Sequence, residues 1–390
     1  MRPSFPSRAV EIYLDNAATS RPKPPEVLQA MNDYMTNVCA NSGRSGHQLS
    51  IEASRIVYRT REALAKLFNA DDPLQIIFTL NATESINLAL QGILQHGDHV
   101  ITSSMEHNSV MRQLRVLESQ GIEITVVKCS QQGFLDPSDV KNAVKKNTKM
   151  IVLNHASNVI GSIQPVEEIG LIARDHGLIF LLDSAQTAGV CEIDVQKMNV
   201  DLLAFSGHKS LYGPVGTGGL YIRNGINLKP LKYGGTGSRS DEEYQPDFLP
   251  DRYESGTLNI VGIAGLGAGV EFVMREGIEN IRKKESELTQ KLINGLLSIP
   301  KVSVYGGINA QKQIGVVSFN IQGFSPSEIA MYLEENFDIL CRASLHCSPS
   351  AHRTIGTFPD GAVRFSLGIF TTDNDVDIAI NAVRNIVKDN

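Results

Sequence analysis

A chain of 390 residues, 42% hydrophobic and 20% charged, has the balance of a globular protein of about two domains and not of a disordered or fibrous one. Its net charge of −6 argues against a general nucleic-acid footprint, and apolar runs such as 177–182 are far too short to cross a membrane. Five cysteines, an odd number in no regular framework, point to reduced thiols and a cytoplasmic setting.

The N-terminal stretch 1–11 carries Arg2 and Arg8 but no apolar core, so no secretory leader is expected. Apolar runs at 75–79, 99–103, 123–127, 150–154, 178–183, 202–206 and 219–222 read as strands. Between them, 84–95, 110–120, 138–145 and 165–176 read as helices. The last has Pro165 at its start and Gly177 just past its end, as helices prefer. This alternation predicts a mostly parallel, doubly wound α/β domain, in which ligands sit at the carboxyl ends of the strands.

The stretch 232–259, rich in Gly, Asp, Glu and Pro, reads as a long loop. A helical region broken by Gly277 follows over 260–297. Within it Gly265-Leu-Gly267-Ala-Gly269 has no strand before it, so it marks close helix packing and not a dinucleotide loop. After Pro300 come short strands at 302–305, 316–321, 339–342 and 363–366, with helices at 326–336 and 373–387. These predict a smaller α+β domain. The expected division is a large domain over 19–265, with 1–18 and 266–390 forming the small one.

Chemistry-bearing residues gather at the ends of the predicted strands. One run ends in Ser206-Gly-His208-Lys209, and the run before it ends in Asp183-Ser-Ala-Gln186. A lysine read alone is more often a solvated surface residue. A lysine and an acid at the ends of neighbouring strands, however, are the protein parts of a pyridoxal-phosphate (PLP) site. There the lysine forms the Schiff base and the acid pairs with the ring nitrogen. Ser206 and His208 flank the lysine and suit a phosphate, while Gln186 can reach the same ligand. Thr79-Leu-Asn-Ala82-Thr83-Glu-Ser85 follows a strand and opens a helix, so its N–H groups and the Thr83 hydroxyl suit a phosphate or a plain helix cap.

His107, after the run 99–103, can stack on a cofactor ring and move protons, or can be structural. His155 and Asn158 follow the run 150–154 and can face one cleft. Asn158 can bind a substrate carboxylate or serve a turn. Arg364 offers a bidentate fork for a carboxylate, or a surface ion pair. Cys347, in Arg342-Ala-Ser-Leu-His346-Cys347-Ser-Pro349, sits in what reads as an exposed loop. It is a candidate nucleophile, against the plain reading of a small buried thiol. Together with Cys341, His346 and His352 it matches no usual zinc spacing, so no metal is expected.

Further motifs complete a family pattern. They are Tyr13-Leu-Asp-Asn-Ala-Ala-Thr19, Arg44-Ser-Gly-His47, Asn81-Ala-Thr83-Glu84, Glu106-His107, Ser157-Asn158, Glu254-Ser-Gly-Thr257 and His346-Cys347. With the Asp183 and Lys209 motifs, and in this order, they resemble the class V aminotransferase group of fold-type I PLP enzymes. Within it, they are most similar to the cysteine desulfurases and selenocysteine lyases, over essentially the whole chain.

The resemblance implies a fold-type I α/β transferase in which Lys209 is the Schiff-base lysine and Asp183 the ring-nitrogen partner. It implies that His107 stacks on the ring and that Gln186 bonds the ring oxygen. Ala82, Thr83, Ser206 and His208 would hold the phosphate, with Thr257 reaching in from the second subunit of a homodimer. Asn158 and Arg364 would hold the substrate carboxylate, and Arg44 and His47 would approach the partner's site. Cys347 would take sulfur from L-cysteine, or selenium from L-selenocysteine, and pass it to an acceptor protein or thiol.

The stretch from Arg342 to Pro349 is most like the group II enzymes, whose cysteine lies on a short loop. Two departures leave acceptor and substrate preference open. The segment from Cys347 to Arg364 is slightly longer, and Asn108 follows His107 where many group II members carry a second His. Transamination, epimerisation or β-elimination on the same fold would not need Cys347. A scaffold that kept the fold would not need Lys209, Asp183, Thr83, Ser206 and His208.

Overall fold

The computed structural model describes residues 11–43, 46–239 and 241–388. The stretch 1–10, read above for a leader, and Arg44 lie outside the described residues. Strand β1 (Ile12–Tyr13) comes first, and seven strands then form the large sheet. They are β2 (Ile76–Thr79), β3 (His99–Ser103), β4 (Glu123–Val127), β5 (Thr148–Asn154), β6 (Ile179–Asp183), β7 (Leu202–Ser206) and β8 (Gly218–Ile222). The order across the sheet is β2-β8-β7-β6-β5-β3-β4, parallel except for β8, which runs antiparallel to both neighbours.

Both faces of this sheet are covered, which is why its central strands are apolar along their whole length. Ile151, Leu153, Phe180, Leu182, Leu203 and Phe205 point into one core. The residues between them, Met150, Val152, Leu181, Leu202 and Ala204, point into the other. The alternation follows from the two-residue period of a strand. Register pairs Asn154 with Asp183 and Asp183 with Ala204, so β5 and β6 end level while β7 runs on to Ser206.

The predicted helices between the strands appear at Ala82–Ile93, Asn108–Glu118, Pro137–Asn142 and Val166–Asp175. Two further helices, Pro25–Asp33 and Gln48–Phe68, are additions to the sequence reading. The second buries Ala53, Val57, Leu64 and Phe68 along one stripe, a spacing the sequence does contain. The loop expected over 232–259 holds no helix or strand among its described residues. Gly277, at φ 80°, ends the helix Ile260–Glu276 and starts Ile278–Leu297.

The second sheet is antiparallel and holds β9 (Val302–Tyr305), β10 (Val316–Ile321), β12 (Arg342–Ser344) and β13 (Ala362–Ser366) in the order β12-β13-β10-β9. Strand β11 (Ile339–Leu340) pairs instead with β1. The single strand expected over 339–342 is thus two strands serving two sheets. A core of Leu14, Leu292, Phe319, Leu333, Phe365 and Val383 lies under this part. After the loop that carries Cys347 comes the helix Pro349–Ile355, which the sequence reading did not assign and which buries Ala351 and Ile355. No helix of the described residues is long and apolar enough to cross a membrane.

The three glycines of 265–269 do mark close packing. A Cβ at Gly265 would stand 2.8 Å from Met31 Cγ, at Gly267 2.5 Å from Thr60 Oγ1, and at Gly269 2.3 Å from the Leu211 carbonyl oxygen. The first two neighbours are side chains, but the third is backbone. Gly269→Ala is therefore expected to destabilise the fold by about 1–3 kcal/mol, the usual cost of overpacking. Urea denaturation beside the wild type measures it.

Candidate functional site

A cavity of about 280 Å³ lies where β5, β6 and β7 end and the helix Ala82–Ile93 begins. Thr83, His107, Asn158, Asp183, Gln186, Ser206, His208 and Lys209 all line it, together with Ala82. The ends of β6 and β7 supply Asp183 and Ser206 directly. The turn after β7 then brings Lys209 back over them. Gly207 permits that turn, since a Cβ there would stand 2.2 Å from Thr217 Oγ1. The N-terminal segment clamps the turn from above. The His208 carbonyl accepts from Lys23 Nζ (2.7 Å), Ser20 N (3.1 Å) and Thr19 Oγ1 (3.1 Å), and the Lys209 carbonyl accepts from Ser20 Oγ (2.8 Å).

Burial decides the electrostatics. It pushes the Lys209 ammonium down to about 8, against the pull of Asp183. It raises the Asp183 carboxyl, against the Ala185 N–H at 2.9 Å and the lysine. It holds His107 down to about 4, with Lys209 adding repulsion. The Ser109 N–H donates to His107 Nδ1 (3.1 Å), so the neutral ring carries its proton on Nε2. Gln186 spends one amide N–H on the Ala17 carbonyl (3.0 Å) and keeps the other.

One end of the cavity has the make-up of an anion site. Asn81 caps the helix through Glu84 N (3.1 Å), and Ala82 N donates to Ser206 Oγ (3.2 Å). His208 Nδ1 is buried without a partner, and Thr83 stands exposed in the first turn of the helix. The N–H groups at a helix N-terminus are what a phosphate takes up. Capping falls to Asn81, which leaves Thr83 for the anion expected from the sequence.

Asn158 joins the cavity to the Cys347 loop. Its Nδ2 donates to the His346 carbonyl (2.7 Å), and its Oδ1 accepts from Ser348 Oγ (2.8 Å). Cys347 between them is exposed, and Arg342 Nη2 donates to its Sγ at 3.5 Å. Such a cation at the sulfur stabilises the negative charge of a thiolate. Arg364 reaches the same place but not as a free fork. Its side chain is 1% exposed and donates to Asp15 Oδ1 (2.7 Å) and to the Asn158 carbonyl (2.9 Å), while its Nε has no partner.

Other expected residues lie elsewhere. His155 faces away from the cleft, because Asn154 and Ala156 on either side line it and strand residues alternate. Thr257 lines a separate cavity of about 630 Å³ with Gly43, Arg61, Thr236 and Glu254. His47 is exposed and caps the helix Gln48–Phe68, accepting from Ser50 N (3.2 Å). Arg61, absent from the sequence reading, forms a buried ion pair with Glu254, whose other oxygen accepts from Phe78 N (2.6 Å). This pair ties the Thr257 segment to β2. Asp15, Ser20 and Arg342 lay inside or beside quoted motifs, but only the fold shows what they hold.

Glu106, beside His107, is wholly buried. It accepts from Ser103 Oγ (2.5 Å) and from Asn154 N (3.0 Å), joining the ends of β3 and β5. Burial pushes its carboxyl up from 4.5 to about 8 despite those donors. The unfolded chain ionises first, so this group costs stability progressively as pH rises from about 4.5 to about 8. Glu106→Gln cannot ionise and loses that slope. The variant is expected to gain on the wild type across this range, measured by urea denaturation at stepped pH.

The aminotransferase class-V family model matches residues 12–378. A probable cysteine desulfurase of Methanothermobacter thermautotrophicus is 35% identical over 97% of this chain and 95% of its own. The apo structure of a cysteine desulfurase from Thermococcus onnurineus NA1 superposes with a TM-score of 0.92 at 35% identity, covering 97% of this chain and 95% of that one. The Escherichia coli cysteine desulfurase CsdA, in an S-sulfonic acid form, gives 0.87 at 28% identity with the same coverage. Lys209 and Asp183 in one cavity at the strand ends, the N-terminus of the helix Ala82–Ile93 beside them and a full-length match agree: the chain belongs to the class V aminotransferase family, among relatives that are cysteine desulfurases.

Proposed function

We propose that this chain is a PLP-dependent cysteine desulfurase that converts L-cysteine to L-alanine. In this reading Cys347 takes the sulfur as a persulfide and passes it to a thiol acceptor, protein or small molecule. The observation that carries it is the placement of Cys347. An exposed thiol stands on a loop whose backbone is bonded to Asn158, a wall of the Lys209 cavity.

Lys209 would hold the cofactor, Asp183 its ring nitrogen and Gln186 its ring oxygen. His107 would cover the ring face. Ala82, Thr83, Ser206 and His208 would hold its phosphate, which the buried, unpartnered His208 Nδ1 supports. When bound, PLP supplies an electron sink for negative charge at the substrate Cα. Lys209, with an amine that loses its proton near 8, suits proton transfer at neutral pH. His107, neutral with its proton on Nε2, suits stacking and donation. Asn158 and Arg364 would orient the substrate carboxylate, with Asp15 giving up part of its hold on the guanidinium. Cys347 Sγ would form the new S–S bond, and the carbon losing sulfur would take up a proton to become the alanine methyl.

The active unit in this reading is a homodimer. Thr257 and His47 lie away from Lys209 in their own chain, and the helix Gln48–Phe68 exposes Leu49, Ile51 and Tyr58 beside them. Both facts support a face that a second copy covers, with Thr257, His47 and Arg44 serving that copy's site. The division into 19–265 and 1–18 with 266–390 belongs to the same reading. Its support is that Ile12 and Leu14 join the core of the second sheet. The odd set of five thiols suits a reducing compartment and supports a cytoplasmic setting.

Single-turnover alanine formation from L-cysteine tests the proposal. Cys347→Ala is expected to bind PLP with unchanged absorbance and to make alanine more slowly by on the order of 10³-fold or more. Alanine formation at the wild-type rate would sink the sulfur chemistry and leave the fold.

The amine of Lys209 gives a second expectation. PLP uptake by the apoprotein should rise with pH and level off above about 8. An ordinary lysine would keep it rising to about pH 10. Stopped-flow absorbance distinguishes the two.

A further inference from the structure

Backbone conformation sets the Cys347 segment apart. Ser344, His346 and Cys347 lie at φ 89°, 48° and 58°. Non-glycine residues persist there, at a cost of about 1–3 kcal/mol each, only when their surroundings impose the conformation. Cys347 is exposed, yet His346 and Ser348 on either side are buried. Asn158 grips both neighbours from the cavity side, and Asn108 N donates to the Cys347 carbonyl (2.9 Å).

On the other side stands a chain of buried polar groups that the mechanism above does not use. Thr357 Oγ1 lies 2.6 Å from His352 Nδ1, His352 Nε2 lies 3.2 Å from His346 Nδ1, and His346 Nε2 lies 3.3 Å from the Arg342 carbonyl. The imidazole rings stack at 5.3 Å between centroids, and both residues are buried, His352 completely. A carbonyl oxygen only accepts, so His346 Nε2 carries a proton. Burial first, and Arg364 second, hold both rings neutral, His346 down to about 2 and His352 down to about 4. His346 Nδ1 is then an acceptor, so His352 Nε2 donates to it. His352 Nδ1 accepts in turn, and the Thr357 hydroxyl donates to it. One carbonyl thereby sets every donor in the chain.

We propose that Thr357, His352 and His346 form a one-way hydrogen-bond relay that holds the Cys347 loop in its left-handed form. His352 is then a positioning residue for the sulfur-accepting thiol, although it lines no part of the Lys209 cavity. The relay is a property of the fold. Its effect on turnover rests on the reading of Cys347 as nucleophile.

Two measurements on the PLP-loaded protein test it. Long-range proton–nitrogen NMR of histidine-labelled protein at neutral pH is expected to show His346 and His352 both as neutral Nε2–H tautomers. The His352 signals are identified by their loss in His352→Gln. An Nδ1–H tautomer or an imidazolium at either ring overturns the relay.

In the kinetic arm, His352→Phe removes the donor, whereas His352→Gln keeps an N–H to offer to His346. His352→Phe is expected to slow single-turnover alanine formation by about 10- to 100-fold, the scale of a small misplacement of reacting atoms. KM for L-cysteine and the absorbance of bound PLP should not change, and His352→Gln should recover most of the rate. Wild-type rates in both variants, or equal losses in both accompanied by altered PLP absorbance, would overturn the positioning role. If Cys347→Ala forms alanine, the nucleophile reading fails, and the NMR arm still decides the relay.

Discussion

The site depends on taking a lysine and an aspartate out of water together. Asp183 ends β6, and the turn that follows the adjacent, parallel β7 brings Lys209 back over it, so sheet and turn together bring the two close. Each alone would be neutralised by desolvation. Burial does move both towards neutrality, lowering the lysine and raising the acid, while each opposes the shift in the other. The result is an amine that is reactive near neutral pH next to an acid that can serve as a hydrogen-bonded ion partner. The rest of the cavity is built around this balance. The Ser20 and Lys23 clamp fixes the lysine's turn, Glu106 ties β3 to β5, and the helix Ala82–Ile93 offers its positive end.

Much of this was legible in the residues because parallel sheets write themselves plainly. Runs buried on both faces are largely apolar, so β7 fell where its run predicted, and the polar residues that end such runs mark the ligand side. Asp183, Ser206 and Lys209 were visible for that reason. Asp15 was not, because an ion pair across 349 residues leaves no local trace. Arg342 lies only five residues from Cys347, but their contact depends on how the chain turns between them. His155 lies just past the end of β5, buried and off the cavity wall, which the polar run 154–158 does not reveal. The helix Gln48–Phe68 carries an apolar stripe but is largely polar on its outer side and lies outside the strand-helix rhythm. The strand read over 339–342 hid a change of sheet within three residues, which only the partners of β11 and β12 resolve.

The second level of organisation is the sharing of single side chains between cavity and loop. Asn158 lines the cavity, yet its amide is committed to the residues on either side of Cys347. Arg364 donates to the Asn158 carbonyl and so supports the same junction. A change at either position therefore acts on the Cys347 loop, and in the proposed reaction would also act on the substrate carboxylate. Loss of activity in such variants does not by itself separate binding from sulfur transfer. The helix Pro349–Ile355 has a similar double duty, since it covers the cleft beside Met105 and also carries His352.

The N-terminal strand is sewn into the far end of the chain. Ser366 N donates to the Leu14 carbonyl, Asn16 Nδ2 donates to the Ser366 carbonyl across 350 residues, and Asp15 holds Arg364. Contacts of such sequence separation close late, because the loop entropy must be met before they form. During synthesis the large sheet can be complete, with its Lys209 cavity open, while the segment that will hold Cys347 is still unmade. The order of translation thus separates the two: the Lys209 cavity comes first, and Cys347 settles only when β13 has paired with residues made some 350 positions earlier.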